Sequence, residues 1–480
     1  MDPNKDSQMN PNENQSSGGE LQGVVSSQAG MPPQQLPQPA QPTEPKPFWR
    51  KIPWKIVAGI VAALVVITGG YFIAKAFLFN GNVEEPQVRE LLWWGFQFEE
   101  EDVSAIISEY EKKTGIRVVY VKQAKQDYKD RLTAALKQNK QAPDIFEIHN
   151  SWPVMFDNLL SRVPSGVYNP EVYRETFYPV MSQDLERSGG FVGIPLVYDG
   201  LSLFVNTSEF TREDKLPPDT WNEVRELSAF FTKRDTSRRI VEGGIPLGRT
   251  ENVNHWQDIL ALMLTQEGAR LDAPTGAQVE VAFKSYVQFA DPYDGVWNET
   301  LPFALQAFSR GQTRMYFGKA EDIREIWKIN PDLQFRTVPM PQLPKATSSQ
   351  PDVMWASYWV DVVSEKSKKR SDAWDFLKYM SSREVMNVLA NGKFVPSRQD
   401  LADLFREDPL LGAFVKSAPS SYSWYLASDT YDGAGGINSR VSTQYKTAVS
   451  GFLENKREDE VLGALSSGVL GVLSEYKTSK

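Results

Sequence analysis

Residues 88–121 decide the fold class and read VRELLWWGFQFEEEDVSAIISEYEKKTGIRVVYV. Residues 88–94 are predicted to form a first strand, and an acid at or near Asp102 caps a helix that Gly115 ends before a second strand over 116–121. The helix carries apolar side chains at the spacing of one helical face, namely Val103, Ile106, Ile107 and Tyr110. The segment therefore predicts a strand, a covering helix and a neighbouring parallel strand.

The same alternation of strands and helices continues along the chain. A second apolar helical face, made by Tyr128, Leu132, Ala135 and Leu136, precedes a predicted strand over 143–148. Residues 220–223 (TWNE) form a capping box that opens a helix through Phe231, and Ser382 opens a later helix that Gly392 ends. This order predicts an α/β fold with a mostly parallel sheet that helices cover on both faces.

The first 87 residues differ in composition from the rest. Residues 1–47 are rich in Pro, Gln, Asn, Ser and Gly, as in disordered tails. Within a predicted anchor over 48–79, the uncharged stretch from Ile56 to Ala74 has the length of a transmembrane helix, with a buried core helix as the alternative. A linker over 80–87 follows. Because lysine and arginine precede the stretch and glutamates follow it, we expect an uncleaved single-pass anchor with a cytoplasmic N-terminus and an extracellular C-terminal part.

Composition argues against several classes of function. The 480 residues carry a net charge of -9, without a polybasic run in the long C-terminal part, so nucleic acid is not an expected partner. The absence of cysteine removes disulfides, thiolate catalysis and a lipid-linked cysteine. With only two histidines, His149 and His255, we expect no metal and no cofactor. Common catalytic motifs are absent, although the paired carboxylates of a glycosidase would escape such a search.

Aromatic and polar residues cluster where predicted strands end. Ligands of open α/β sheets bind beyond the carboxyl ends of the strands, and flat aromatic faces suit a sugar or a peptide. The predicted ligand-binding residues are Trp94, Phe96, Gln97, His149, Asn150, Trp152, Tyr198, Asp199, Asn254, His255, Trp256, Tyr316, Phe317, Tyr358, Trp359 and Trp424.

Each of these residues has a structural alternative. The aromatic residues are also typical of a packed core, the two histidines of hydrogen-bonded loops, and Asp199 of a helix cap. The segments 429–433 and 291–295 resemble metal-binding loops, but their spacing favours turns. The acidic run 99–102 is interpreted as a solvated helix start.

From Leu91 to the C-terminus, the order of short motifs resembles the family 1 extracellular solute-binding proteins of ABC importers, of the maltose-binding type. The motifs are LWWG (92–95), YEKKTGIRV (110–118), APDIF (142–146), GIPL (193–196), LFVN (203–206), LPPDTWNEV (216–224), AFSRGQ (307–312), VPMP (338–341) and AWDFL (373–377). Two departures from the family pattern stand out. The lipobox cysteine is missing, and 319–321 (KAE) replaces the usual small polar or aromatic residue after a strand.

The resemblance implies a two-lobed periplasmic-binding-protein-like fold that closes on a small solute. It implies one lobe over about 88–197 and 355–400 and another over 198–354 and 401–480. The chain would cross near 196–198 and again near 352–355. It further implies ABC permease subunits as partners, no catalysis, and a carbohydrate ligand in preference to a peptide. The alternatives are an anchored glycan-cleaving enzyme and an anchored sensor without a transporter.

Overall fold

The computed structural model describes Gly59, Thr68 and residues 89–138, 142–345, 347 and 349–476. The tail, almost all of the predicted anchor and the linker lie outside these residues. Within them, no helix is long and apolar enough to cross a membrane. Residues 86–480 form one compact unit, which contains every feature described below.

Strands and helices are numbered separately in chain order. The strands are β1 Glu90–Gly95, β2 Arg117–Lys122, β3 Ile145–His149, β4 Glu186–Arg187, β5 Gly190–Phe191, β6 Ser202–Asn206, β7 Lys233–Arg234, β8 Ile240–Glu242, β9 Met315–Gly318, β10 Phe335–Val338, β11 Met354–Trp355, β12 Trp359–Val363 and β13 Ser421–Tyr422. The helices are α1 Glu100–Thr114, α2 Tyr128–Gln138, α3 Pro153–Phe156, α4 Pro170–Thr176, α5 Pro179–Leu185, α6 Thr207–Arg212, α7 Trp221–Phe231, α8 Trp256–Gln266, α9 Ala277–Val287, α10 Ala304–Ser309, α11 Glu321–Ile329, α12 Arg370–Met380, α13 Arg383–Asn391, α14 Ala402–Phe405, α15 Gly412–Ser417, α16 Ile437–Leu453 and α17 Glu458–Tyr476.

The first sheet has the strand order β12-β3-β1-β2. Strand β1 pairs in parallel with both β2 and β3, as the βαβ interpretation of the sequence requires. Strand β12 is antiparallel to β3, with Trp359 opposite His149. The start of β12 therefore lies at the same edge as the carboxyl ends of β1 and β3, which is the edge where a ligand is expected.

Helix boundaries follow the capping signals of the sequence. Glu99 and Asp102 form a capping box at the start of α1, and Gly115 ends the helix in the left-handed region at φ 70°. The predicted apolar face of α1 is buried, as expected. Thr220 caps α7 through a capping box, and Ser382 caps α13. These predictions are confirmed.

The second sheet has the order β10-β6-β9, and both of its pairings are antiparallel. The expectation of a mostly parallel arrangement therefore holds for the first sheet only. Hydrophobic periodicity locates a strand but carries no information on the direction of its partners. Side chains alternate between two hydrophobic clusters along β6, since Phe204 joins the cluster around the first sheet while Leu203 and Val205 join the other.

The two predicted crossing segments lie side by side. The amide of Leu201 donates to the carbonyl of Trp355 at 3.0 Å, and the amide of Ser357 donates to the carbonyl of Asp199 at 3.1 Å. A side chain at Gly200 would place its Cβ 2.3 Å from the carbonyl oxygen of Trp355, so the close approach requires glycine. The residues around 199–201 and 355–357 therefore lie next to each other beside the site.

Candidate functional site

One cavity of about 500 Å³ is bounded by residues that follow strands of both sheets. It is lined by Phe96, Gln97, Glu99, Lys122, Gln123, Ala124, Lys125, Val197, Asp199, Asn254, His255, Leu305, Lys319, Ala320, Glu321, Asp322, Arg324, Glu325, Lys328, Ser357, Trp359, Lys393, Phe394, Val395, Asp429 and Tyr431. Its volume lies in the range of pockets that enclose small molecules. The cavity is therefore the candidate ligand site.

Three aromatic rings form one wall of the cavity. The rings of Phe96 and Trp359 meet edge to face, with 4.2 Å between their centroids. Tyr431 lies nearly parallel to Trp359 at 6.2 Å. Phe96 follows β1 and Trp359 begins β12, so the edge of the first sheet positions both rings. The wall offers flat apolar faces against which a ligand sheds water.

His255 is the centre of a buried ionic network on the side of the second sheet. Its Nε2 lies 2.8 Å from Oδ2 of Asp322, and its Nδ1 lies 3.1 Å from Oδ2 of Asp429. Burial alone lowers the pKa of His255, but the two carboxylates more than offset burial and raise the pKa to about 10. The imidazole is therefore charged at neutral pH.

Lys319 brings a second buried cation to the cavity. The residue is 2% exposed, and its Nζ donates to Ser357 Oγ at 3.1 Å and to the carbonyl of Ser428 at 3.3 Å. Burial lowers the pKa of Lys319, but Asp258 and Asp429 raise it above its ordinary value overall. The ammonium group is thus retained inside the protein, where one hydroxyl and one carbonyl position it.

Asp199 ties the crossing segment to helix α11. Its carboxylate accepts hydrogen bonds from the amides of Gly200 and Ala320, each at 2.7 Å, and from the amide of Glu321 at 3.3 Å. Burial, followed by the charge of Glu321, raises the pKa of Asp199 to about 7. The helix-cap alternative considered from the sequence is thus the arrangement present, and the residue also lines the cavity.

Helices α1 and α11 face each other at the mouth of the cavity. Arg324 of α11 lies 2.7 Å from Asp102 of α1, and its guanidinium lies 4.9 Å from the ring centroid of Phe394. Glu99, at the start of α1, pairs with Lys122 and lies 4.0 Å from Lys328. The acidic run 99–102 therefore does more than start a helix. Its carboxylates also form ion pairs with α11, a helix that follows a strand of the second sheet.

A buried carboxyl pair lies behind the aromatic wall. Glu147 on β3 is opposite Asp361 on β12, and both residues are fully buried. Glu147 Oε2 accepts hydrogen bonds from the amides of Phe96, at 2.9 Å, and Gln97, at 3.3 Å. Burial raises the pKa of Glu147 to about 7, and burial together with Glu147 raises that of Asp361. The protonation of Glu147 is thus linked to the loop that contains Phe96 and Gln97, and this loop lines the cavity.

Backbone strain is concentrated around the cavity. Four lining residues other than glycine have positive φ: His255 at 57°, Lys393 at 68°, Asp429 at 55° and Tyr431 at 47°. Side chains rarely adopt this conformation, which costs free energy and is found preferentially at functional sites. The strain therefore supports this cavity as the site, independently of its volume.

Six of the residues predicted from sequence line the cavity, namely Phe96, Gln97, Asp199, Asn254, His255 and Trp359. The others occupy different places. His149, Asn150, Trp152, Tyr198 and Tyr358 are buried on the side of the first sheet, Trp256, Phe317 and Trp424 belong to the second hydrophobic cluster, Tyr316 donates to Asp322 from a buried position, and Trp94 packs half-buried against the first cluster. Contact with a ligand stays a prediction for all sixteen.

Sequence reasoning missed most of the charged lining. The missed residues include Lys122, Lys125, Lys319, Glu321, Asp322, Arg324, Asp429 and Tyr431. Two signals pointed to them, since 319–321 departs from the family pattern directly after β9 and 429–433 was singled out as a loop rich in acids. The lysines at and after the end of β2 gave no signal in the sequence, because charged residues at strand ends are common on protein surfaces.

Within the residues that the structure describes, no group of three histidine or acidic side chains is arranged to hold a metal ion. The two segments that resemble metal loops have other roles. Asp291 accepts from the amides of Tyr293 and Asp294, as in a turn. Asp432 accepts from the amides of Asn438 and Ser439 in the first turn of α16. The interpretation of both segments as turns agrees with these contacts.

Comparisons with known proteins give one family and one fold. A family model described as "Bacterial extracellular solute-binding protein" matches residues 105–419. A search of curated protein sequences returned no significant match.

Solved structures of similar fold cover most of the chain. An ABC transporter solute-binding protein from Thermotoga lettingae, bound with α-D-tagatose, has a TM-score of 0.64 and 20% identity over 80% of this chain and 100% of its own. The cyclic α-maltosyl-1,6-maltose binding protein from Arthrobacter globiformis has a TM-score of 0.64 and 16% identity over 80% and 99%. The Thermus thermophilus maltotriose binding protein, bound with maltotriose, has a TM-score of 0.61 and 17% identity over 80% and 100%.

Proposed function

This chain belongs to the family of bacterial extracellular solute-binding proteins, and we propose that it is the extracellular substrate-binding component of an ABC importer for a sugar or oligosaccharide. The observation that carries the proposal is the cavity of about 500 Å³ with its aromatic wall. Proteins of similar fold bind α-D-tagatose or maltotriose. Aromatic faces pack against the apolar faces of a sugar ring, while amides and charged groups bind its hydroxyls.

The mechanism is closure of two lobes on the ligand. One lobe comprises about 88–197 and 355–400, and the other comprises 198–354 and 401–480. The ligand first contacts one lobe, and rotation about the paired segments near residues 196–201 and 352–357 then buries it between both. Permease subunits bind the closed form. No covalent bond is made or broken in this cycle.

The membrane anchor is part of the proposal. The stretch from Ile56 to Ala74 spans the membrane as a single helix, with the N-terminus in the cytoplasm and the binding domain outside. The uncharged length of the stretch and the basic residues before it support this topology. Protease added to intact cells is expected to remove the binding domain and spare the tail. Recovery of the full chain in the soluble fraction would contradict the anchor.

A thermal-shift screen of sugars, oligosaccharides and peptides tests the binding function. A ligand at a hundred times its dissociation constant stabilises the protein by about 2.7 kcal/mol, which raises the melting temperature measurably. We expect a saccharide among the hits. Stabilisation by peptides alone would contradict the sugar assignment.

Each hit is then incubated with the protein, and the saccharide is analysed by mass. The anchored glycan-cleaving enzyme is the alternative function. New products that disappear when one carboxylate pair is replaced would favour the enzyme. We expect the saccharide to be recovered unchanged.

A further inference from the structure

The charges in the inner part of the cavity do not cancel. Five carboxyl groups lie there or directly against it: Asp199, Asp258, Glu321, Asp322 and Asp429. Three cations oppose them: Lys125, His255 and Lys319. An uncompensated negative charge in a desolvated site is costly, and a bound cation reduces that cost.

Only one of the three cations is free to move. The side chains of His255 and Lys319 are each 3% exposed, and both are held by buried hydrogen-bond partners. The side chain of Lys125 is 38% exposed and lies on the loop between β2 and α2. Its four-carbon stem allows the ammonium group to leave the cavity without any change in the strands.

The place that the Lys125 ammonium occupies has the chemistry of an ammonium-binding site. Its Nζ lies 2.8 Å from Oε2 of Glu321, 5.6 Å from the ring centroid of Tyr431 and 6.0 Å from that of Phe96. A carboxylate beside two aromatic faces binds a cation through its charge and through the ring quadrupoles. Asp429, on the same side as Tyr431, adds to the negative potential there.

We propose that this place, formed by Phe96, Glu321, Asp429 and Tyr431, is a subsite for the protonated amine of an amino sugar, and that Lys125 occupies it while no ligand is bound. The inference rests on the proposed function, since it specifies which class of saccharide the cleft takes. Departure of Lys125 leaves five carboxyl groups against two cations, and the ligand amine restores the third positive charge. A neutral saccharide leaves that charge uncompensated.

The test uses the full chain in detergent and measures binding by calorimetry to three probes. These are glucosamine oligomers with free amines, the same oligomers fully N-acetylated, and maltotriose. We expect the free-amine oligomers to bind about tenfold tighter than the N-acetylated ones. Acetylation keeps the sugar ring and removes only the charge, so the comparison isolates the amine.

Two variants are expected to act in opposite directions. Lys125→Ala removes the competing ammonium and should strengthen binding of the amine oligomers about fivefold, because the subsite is no longer occupied in the free protein. Glu321→Gln should weaken the same binding about tenfold, a clearly larger loss than the one measured with the N-acetylated oligomers. Lys137→Ala, an exposed lysine on α2, is the matched control. Equal melting temperatures of the ligand-free variants confirm that each one folds.

Three results would overturn the inference, and they differ in what they imply for the broader function. Maltotriose or the N-acetylated oligomers binding as tightly as the free amines would leave the sugar-binding function standing and remove the amine subsite. Weaker amine binding by Lys125→Ala would make Lys125 a ligand contact instead of a resident cation. Failure of all three probes to bind would contradict both the inference and the sugar assignment for these saccharide classes.

Discussion

Tryptophans that look equivalent in the sequence differ in the structure. Trp152 and Trp359 both occur where strands of the first sheet begin or end, yet only Trp359 lines the cavity. Trp152 is fully buried and stacks on Phe156 with 5.5 Å between ring centroids. The difference lies in side-chain direction, which the position of a residue after a strand does not determine.

The two tryptophans are therefore expected to respond differently to truncation. Trp359→Ala should weaken saccharide binding by about 2 kcal/mol, because a stacking face is lost. Trp152→Ala should instead lower the free energy of unfolding by about 3 to 5 kcal/mol, because it leaves a core cavity. Urea denaturation and calorimetric titration of both variants measure the two effects. Loss of binding in Trp152→Ala without loss of stability would place that residue in the ligand site.

The buried pair Glu147 and Asp361 makes stability depend on pH. The pKa of Glu147 is about 7 in the folded protein, whereas a glutamate in an unfolded chain titrates near 4.3. The folded state therefore binds more protons at this carboxyl between these values, so the contribution of Glu147 to the free energy of unfolding should fall as pH rises from about 4.5 to 7.

Glu147→Gln should make this pH dependence shallower, because a side-chain amide still accepts hydrogen bonds from the amides of Phe96 and Gln97 but does not titrate, while Asp199 and Asp361 continue to contribute. Urea denaturation at several pH values measures the slope. Glu101→Gln, at an exposed position on α1, is the control and should retain the dependence. An unchanged slope in Glu147→Gln would contradict the raised pKa of Glu147.

At the scale of elements, the caps and the parallel pairing of β1 with β2 and β3 were predicted correctly, whereas the strand directions in the second sheet were not. Thr220, Ser382 and Gly115 were assigned correctly because a cap depends on a few neighbouring residues. The antiparallel pairing of β6 with β9 depends on residues more than a hundred positions apart, and no local signal encodes it. The ionic lining was missed for the same reason, since Arg324 and Asp102 meet only through the fold.

The contact between helices α1 and α11 should contribute measurably to stability. Arg324 and Asp102 are partly buried, with side chains 28% and 18% exposed. A double-mutant cycle with Arg324→Ala and Asp102→Ala should give a coupling of about 1 kcal/mol that decreases at high salt. The free energy of unfolding in urea is measured for the unsubstituted protein, for each single variant and for the double variant. Strictly additive effects would mean that the ion pair contributes nothing.

At the scale of the whole molecule, the structure combines two sheets, each with its own hydrophobic cluster, and a cavity lined by residues that follow strands of both sheets. The resemblance to a family predicted a two-lobed fold around a ligand site, whereas hydrophobic periodicity alone predicted only helices and strands. The close backbone approach at Gly200 supports the hinge that we propose near this residue.

Small-angle X-ray scattering of the binding domain, with and without a saturating saccharide from the screen, tests closure most directly. We expect the radius of gyration to decrease on binding and the recovered saccharide to be chemically unchanged. Trp359→Ala at the same saccharide concentration should show no decrease. A bound saccharide with no change in the radius of gyration, or one converted to products, would contradict a receptor that works by closing on its ligand.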